Sequence, residues 1–211
     1  MPRAAAKASP VHSRDRVFAA AAAEFARCGY AGANVDRIAR AARLNKAMIY
    51  YHFKSKAALY REILRDMFGA VRQAVADVEA SSAAPADKIR RYVQAIAAAA
   101  EARPHFPPIW LREVAEGGEH VDAATLAYVR DVLGALGRII EEGRRAGVFV
   151  PLNPLVVQTG IIAPLMFFLA SAPLRQKMAR AGTIPGPALS RDFVVAHIQR
   201  ITLAQLEGKL T

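Results

Sequence analysis

Two short helical segments, each preceded by an asparagine, lie close together in the first quarter of this sequence. Asn34 can cap a helix over residues 35–42, because its side-chain oxygen can accept a hydrogen bond from a free backbone N–H of the first turn. Asn45, three residues beyond that helix, can cap a second helix over residues 46–52. So short a connection makes the two helices neighbours, which predicts a helix-turn-helix unit.

A longer helix is expected in front of this pair. From residue 14 to residue 28 apolar side chains recur at helical spacing, and Gly29 can adopt the left-handed conformation that often ends a helix. We therefore expect a three-helix domain over residues 14–60. Residues 1–13 include basic side chains but no apolar run of the length found in signal peptides, and they are expected to form a disordered arm.

The rest of the chain, residues 61–211, also shows helical periodicity, and no stretch of useful length alternates as a strand does. Of the 211 residues 54% are hydrophobic, which is typical of a globular protein. We expect an all-α protein of about nine helices, in which the helix-turn-helix domain is followed by a larger helical domain.

Positive charge is concentrated in the first 60 residues, which carry a net charge of +8 out of +11 for the whole chain. Such a segment indicates a surface that binds a polyanion, since Lys and Arg side chains near phosphates release condensed counterions. Nucleic acid is the first candidate, and an anionic membrane surface is the second.

The segment AAAEFARCGYAGANVDRIARAARLNKAMIYYHFKSKAALYREIL, which contains the paired helices, resembles the DNA-binding domain of the TetR family of transcriptional regulators. The likeness covers roughly the first 65 residues, and its most specific part is YYHFKSK. The resemblance implies a homodimeric repressor that binds double-stranded DNA at a palindromic operator, with NKAMIYYHF as its recognition helix.

Within the recognition helix the resemblance implies two kinds of DNA contact. Ala47 and Met48 would face base edges, and four residues would hold phosphates: Lys46, Tyr50, Tyr51 and Lys54. Residue chemistry agrees, because Lys and Tyr can donate hydrogen bonds to phosphate oxygens and small apolar groups can pack on thymine methyl groups.

Three further residues near the paired helices are candidates for the DNA-binding surface. Asn34 and Asn45 would add backbone donors at the helix starts. His52 is expected to be structural or to face a phosphate. For Tyr50 and Tyr51 core packing is the alternative, and we favour a combination of packing and phosphate contact.

Two positions depart from the pattern of the family. Arg43 stands in the turn where the family usually has Gly, and a left-handed conformation costs a residue with a Cβ atom about 1 kcal/mol or more. Either the turn is distorted or Arg43 contacts a phosphate. Ala47 stands where the family often has Gly, so the operator sequence cannot be carried over.

The stretch PLVVQTGIIAPLMFFLASAP is nearly long enough to span a bilayer, for which about 20 apolar residues are needed. Gln158, Thr159 and Pro164 argue against a span, and a helix that is apolar all round is normally buried in protein. The resemblance implies instead that the last two long helices pair with their copies in a second subunit. The residues expected in this interface are Ile161, Leu165, Phe168, Phe193, His197 and Ile201.

The resemblance also implies an effector pocket in the C-terminal domain, where a small, largely apolar molecule would bind and release the operator. The candidate lining residues are Phe106, Trp110, Glu113, Tyr128, Met166 and Phe167. The alternative is that these side chains form ordinary core in a DNA-binding regulator of the same fold that has no effector.

No cofactor or metal site is indicated, and neither is an enzyme. The sequence contains no nucleophile elbow, Walker loop or dinucleotide fingerprint, and its five histidines lack metal-ligand spacing. Cys28 is the single cysteine, which excludes an intramolecular disulfide and fits a reducing cytoplasm. Two minor alternatives stay open: an enzyme built from distant residues such as Glu113 and His197, and a membrane-associated helical protein.

Overall fold

The computed structural model describes residues 10–184 and 189–209, which form ten α-helices and no strand. The helices are α1 (Pro10–Gly32), α2 (Val35–Ala41), α3 (Lys46–Phe53), α4 (Lys56–Ala80), α5 (Pro85–Glu101), α6 (Phe106–Ala115), α7 (Ala123–Arg145), α8 (Pro154–Ala170), α9 (Ala172–Arg180) and α10 (Arg191–Leu206). The all-α class is therefore confirmed. The expected count of about nine did not include α9, which follows α8 after a bend of 53°.

Helix α1 begins at Pro10, so residues 10–13, which were expected to belong to a disordered arm, are helical. Proline is well suited to the first turn of a helix, where its missing N–H would be unpaired anyway. The extension is held by Ser13, which is buried and lies 2.8 Å from Nε2 of His52 in α3. No sequence pattern near either residue reveals this contact between α1 and α3. The other residues of the expected arm, 1–9, lie outside the described ranges.

Helices α1 to α3 form a small unit around a shared apolar core, with Phe25, Ile38 and Ile49 fully buried. Gly29 has φ 70°, and the regular part of α1 ends there, as its sequence predicts. Helix α4 continues through residue 60 without a break, so the two parts of the molecule share a helix. We refer to residues 10–60 as the head and to residues 61–209 as the body.

The body packs α4 most extensively against α7 and α5, and α8 and α10 cover the outer side of this layer. Helix α8 is apolar on all sides, and its residues form three stripes with different surroundings. Val157, Ile161 and Leu165 are fully buried in the core of the chain. A second stripe borders a cavity, and the outward stripe includes Val156 and Phe167, which are 55% and 67% exposed.

Within the described ranges no single helix is long and apolar enough to cross a membrane. The bent pair formed by α8 and α9 reaches the required length and composition only when the two helices are taken together.

Candidate nucleic-acid interface and apolar cavity

The two asparagines act as the helix caps that their positions predict. The side-chain oxygen of Asn34 accepts a hydrogen bond from the backbone N–H of Asp36 at 2.7 Å, and that of Asn45 accepts one from Met48 at 2.9 Å. Each cap satisfies a donor that the helix itself leaves free. The caps therefore fix where α2 and α3 begin.

The outward side of α3 is polar and aromatic. Lys46 and Ala47 are exposed, Tyr50 is 43% exposed and Tyr51 is 76% exposed, whereas Ile49 and Phe53 are buried against the head. Core packing alone therefore does not account for either tyrosine, and it accounts least for Tyr51.

Three other predicted contact residues have distinct positions around α3. Lys54 directly follows the helix and is exposed, with a φ of 64°. Met48 is half-buried. His52 is also half-buried and pairs with Ser13, which gives it a structural position between α1 and α3.

The turn between α2 and α3 is regular although it contains Arg43. This residue has φ 53°, and the backbone N–H of Leu44 donates to the carbonyl of Ala39 at 3.0 Å, as in a usual left-handed helix ending. The guanidinium of Arg16 in α1 donates to the carbonyls of Ala42 and Arg43. Of the two expectations for Arg43, the distorted turn is wrong. Its side chain is exposed beside α3.

Glu24 joins α1 to α2. Its carboxylate accepts hydrogen bonds from Arg27, from the Arg37 guanidinium at 2.6 Å and from the backbone N–H of Asn34. Burial alone would raise the pKa of Glu24, but these hydrogen bonds outweigh it and lower the pKa to about 2. The residue lies ten positions before Asn34, so no short motif reveals the contact.

Helix α6 connects the body to the head. The Arg112 guanidinium donates to the carbonyls of Phe25, Ala26 and Arg27, the last at 3.2 Å, at the end of the regular part of α1. These carbonyls lie in the last turn before the kink at Gly29, where the negative end of a helix dipole favours a cation.

Glu113, expected to line the effector pocket, instead faces the head and is fully buried. Its carboxylate accepts a hydrogen bond from the Tyr60 hydroxyl at 2.7 Å, and another from the backbone N–H of His120 at 3.2 Å. The His120 Nδ1 atom lies 3.0 Å from the same carboxylate. Burial and the neighbouring carboxylate both raise the pKa of Tyr60. The next residue of α6, Val114, does border the cavity. Helical periodicity alone does not show which of these two neighbours faces the cavity.

Glu113, Glu116 and His120 also place three potential metal-ligand atoms within 4.8 Å of one another. Both carboxylate oxygens of Glu113 already accept hydrogen bonds from Tyr60 and His120. Glu113 and His120 therefore form part of the hydrogen-bonded contact of the body with Tyr60 of the head.

A cavity of about 280 Å³ lies between α4, α5, α6, α7 and α8. Of the predicted pocket residues, Phe106, Trp110 and Met166 line it. Tyr128 does not: its ring packs under the Arg72 guanidinium, 4.9 Å from the ring centre. Phe167 follows Met166 directly and therefore points to the outer side of α8.

The residues expected in a dimer interface divide into two groups. Ile161 and Leu165 are fully buried within their own chain, so the expectation that they face a partner is wrong. Helix α8 is apolar all round, and its sequence therefore could not indicate which stripe faces outward. Phe168 is half-buried beneath the Arg175 guanidinium. Phe193, His197 and Ile201 lie on the exposed face of α10.

Two family models match this chain in succession. The model described as "Bacterial regulatory proteins, tetR family" matches residues 17–63, which cover the helix-turn-helix and the start of α4. The model described as "Tetracyclin repressor-like, C-terminal domain" matches residues 85–183.

Curated relatives include two bacterial repressors. The HTH-type transcriptional repressor NicS of Pseudomonas putida is 30% identical over 139 residues, which are 65% of this chain and 66% of NicS. The HTH-type transcriptional repressor SCO4008 of Streptomyces coelicolor is 49% identical over 55 residues, which are 26% of this chain and 29% of that protein. The aligned parts thus span less than two thirds of either relative.

Solved structures with the same fold cover nearly the whole chain. A TetR-family regulatory protein from Rhodococcus RHA1 superposes with a TM-score of 0.75 at 21% identity and covers 92% of this chain and 96% of that one. The ketosteroid regulator KstR2 of Mycobacterium tuberculosis has a TM-score of 0.73 at 21% identity, with 92% and 94% covered. These structures show the fold, and the two family models, together with NicS, show that the chain belongs to the TetR family of bacterial DNA-binding transcriptional regulators, which are not enzymes.

Proposed function

We propose that this chain acts as a homodimeric repressor that leaves a palindromic operator when a small, largely apolar molecule enters the cavity of the body. The observation that carries the proposal is the position of α6. Trp110, Leu111 and Val114 border the cavity, whereas Arg112 and Glu113 bind the head. A molecule in the cavity therefore touches the same helix that holds the DNA-binding unit.

In this proposal α3 enters the major groove. Ala47 contacts base edges, and Lys46, Tyr50, Tyr51 and Lys54 contact phosphates, supported by their exposure on one side of the head. Lys46 also lies 3.2 Å from the Asp36 carboxylate, which places its ammonium group at the edge of the surface. Met48, half-buried, reaches the groove with part of its side chain only.

Dimerisation involves the outward faces of α8 and α10. Phe167 and Phe193 are 67% and 59% exposed, and Val156 and Ile201 extend the same kind of apolar surface. Large exposed apolar side chains on adjacent helices are typical of protein interfaces. A symmetric dimer through this face would present two copies of α3 to two half-sites about 34 Å apart.

Release follows from a change in the position of α6. An occupied cavity favours an arrangement of α6 in which the Arg112 and Glu113 contacts hold the two heads at a spacing unsuited to the operator. The effector can shift this equilibrium only by its difference in affinity for the two arrangements.

The DNA contacts can be tested on a duplex selected from a random library by the purified protein. Lys46→Ala should weaken binding to all sequences and reduce the slope of log Kd against log salt by about 1, because one phosphate contact is lost. Tyr51→Phe removes one hydrogen-bond donor to phosphate but keeps the ring, and it should also weaken binding. Lys177→Ala on α9 is the matched control, since Lys177 is exposed and lies in the body. DNA affinity that does not depend on salt would contradict this arrangement.

The dimer can be tested by sedimentation. Phe167→Lys should shift the protein toward monomer, because it places a charge in the apolar face. The control Leu126→Lys alters a residue on α7 that is 56% exposed and should leave the assembly unchanged. Equal sedimentation of both variants and the unsubstituted protein would exclude this interface.

Effector release can be tested with a panel of uncharged apolar compounds. At least one should raise the Tm and weaken operator binding in the same concentration range. A panel that never raises the Tm would favour the alternative of a regulator without an effector.

A further inference from the structure

The chemistry of the cavity wall restricts what the body can bind. Among the described residues the wall contains no charged side chain and consists mainly of apolar groups from five helices. Its polar side chains are Gln158 and Thr159 on α8 and the indole of Trp110 on α6. Moving an ionised group from water to such a wall costs several kcal/mol unless a partner compensates it. The cavity therefore favours an uncharged ligand.

Gln158 is the polar group that is held in place. The buried Tyr92 hydroxyl donates to its Oε1 atom at 2.8 Å and lies 3.1 Å from the carbonyl of Val132. Burial raises the pKa of Tyr92, so its hydroxyl stays protonated and able to donate. This contact fixes one end of the Gln158 amide. The amide nitrogen, with two N–H donors, has no partner among the described residues.

Thr159 differs from Gln158 in this respect. Its hydroxyl donates to the carbonyl of Leu155 at 2.9 Å, one turn earlier in α8, so its hydrogen is already used. The Gln158 amide nitrogen is thus a preorganised donor, and a ligand that meets it avoids the cost of ordering a free side chain.

Resting on the function proposed above, we propose that the effector is an uncharged, mainly hydrocarbon molecule with a single hydrogen-bond acceptor, such as a ketone or ester carbonyl, that binds Nε2 of Gln158. The cavity of about 280 Å³ is slightly smaller than typical ligand pockets, which span about 300–1,000 Å³. A compact ligand fits this volume. Phe106 and Trp110 supply flat apolar walls, and Gln158 provides the specificity.

Three probes of similar size separate these requirements: butylbenzene, which has no polar group, butyrophenone, which adds a carbonyl, and 4-phenylbutanoate, which is ionised at pH 8. Binding to the full-length protein is measured by calorimetry and by the rise in Tm. Butyrophenone should bind about tenfold more tightly than butylbenzene, as one additional hydrogen bond allows. The carboxylate should bind at least tenfold more weakly than butyrophenone.

Gln158→Leu tests the assigned residue. The variant should bind butylbenzene as well as the unsubstituted protein does, but the advantage of butyrophenone should fall to twofold or less. Tyr92 keeps the Val132 carbonyl as an acceptor in this variant, so its hydroxyl is not left unpaired. Val129→Phe, which fills the cavity from α7, should abolish binding of both neutral probes and thereby locate them.

The outcomes distinguish the inference from the function on which it rests. Tightest binding of 4-phenylbutanoate, or equal binding of the two neutral probes, would overturn the assigned ligand class and leave the effector pocket in place. A butyrophenone advantage that survives Gln158→Leu would overturn the role of Gln158. If none of the three probes binds, both the ligand class and the proposed effector pocket fail.

Discussion

The head and the body use their interiors and surfaces in opposite ways. The head packs Val17, Phe25 and Ile49 without accessible surface and exposes a face with Lys46 and Tyr51. The body contains a cavity of about 280 Å³, which is open on the side of Val114 and Leu155, and it exposes the apolar rings of Phe167 and Phe193.

This contrast indicates that the head and the body have different roles. A closely packed core has one favourable arrangement, so the head can change its position but not readily its shape. In the proposed function the cavity of the body is either empty or filled, and the two states correspond to two arrangements that a ligand distinguishes. Helix α6 belongs to the body and binds the head through Arg112 and Glu113, so in this proposal it transmits the difference.

The largest expected effect lies at the junction of the two regions. Glu113→Ala should lower the free energy of unfolding by about 3 kcal/mol, because it leaves the buried Tyr60 hydroxyl and the His120 N–H without their partner. Urea denaturation followed by circular dichroism measures this loss. Glu116→Ala, at the exposed end of the same helix, is the control and should cost little. A similar loss in both variants would mean that the junction is not a specific contact.

The second effect lies within the head and depends on pH. The low pKa of Glu24, about 2, stabilises the folded state at pH values above the unfolded pKa of about 4.3, and this stability is lost as the pH falls toward 2. Glu24→Gln should cost about 2 kcal/mol at pH 7, a value reduced for the solvent exposure of the Arg27 and Arg37 partners. The difference in the free energy of unfolding between Glu24→Gln and the unsubstituted protein should narrow as the pH falls from 5 to 3. A gap independent of pH would show that the charge of Glu24 is not responsible; Glu119→Gln, on an exposed residue, is the control.

The third prediction compares the two interiors directly by the same chemical change. Val17→Leu adds a methylene group to the filled core of the head and should destabilise it by about 1–2 kcal/mol. Val71→Leu adds the same group to the wall of the cavity and should be neutral or stabilise by up to about 0.8 kcal/mol. Thermal unfolding of both variants measures the difference, and equal losses would remove the distinction between a filled and a hollow core.

The smallest effect concerns the turn before α3. Arg43→Gly should stabilise the head by about 0.5 kcal/mol, because relief of the left-handed strain exceeds the entropy that glycine loses on folding. Arg40→Gly, in the right-handed conformation of α2, should destabilise by about 1 kcal/mol. Chemical denaturation measures whether the free energy of unfolding rises in Arg43→Gly and falls in Arg40→Gly. Weaker operator binding of Arg43→Gly would in addition support a phosphate contact by the arginine.

The head was the more predictable region because its signals are local. The Asn34 and Asn45 caps, the Gly29 ending and the outward face of α3 each depend on residues within one or two turns of the chain. The body was less predictable, since α8 offers apolar side chains in every direction and the position of Glu113 on α6 depends on where the head lies.

Local sequence patterns were sufficient to predict the all-helical class and the three helices of the head, because capping and helical periodicity act over short distances. Three other features became clear from the packing alone: Ile161 and Leu165 belong to the core, Glu113 binds Tyr60, and Gln158 borders the cavity. Each of these depends on how a helix is rotated against neighbours that are distant in sequence. A helix with more than one apolar face satisfies its local preferences equally well in several rotations, and packing selects one of them.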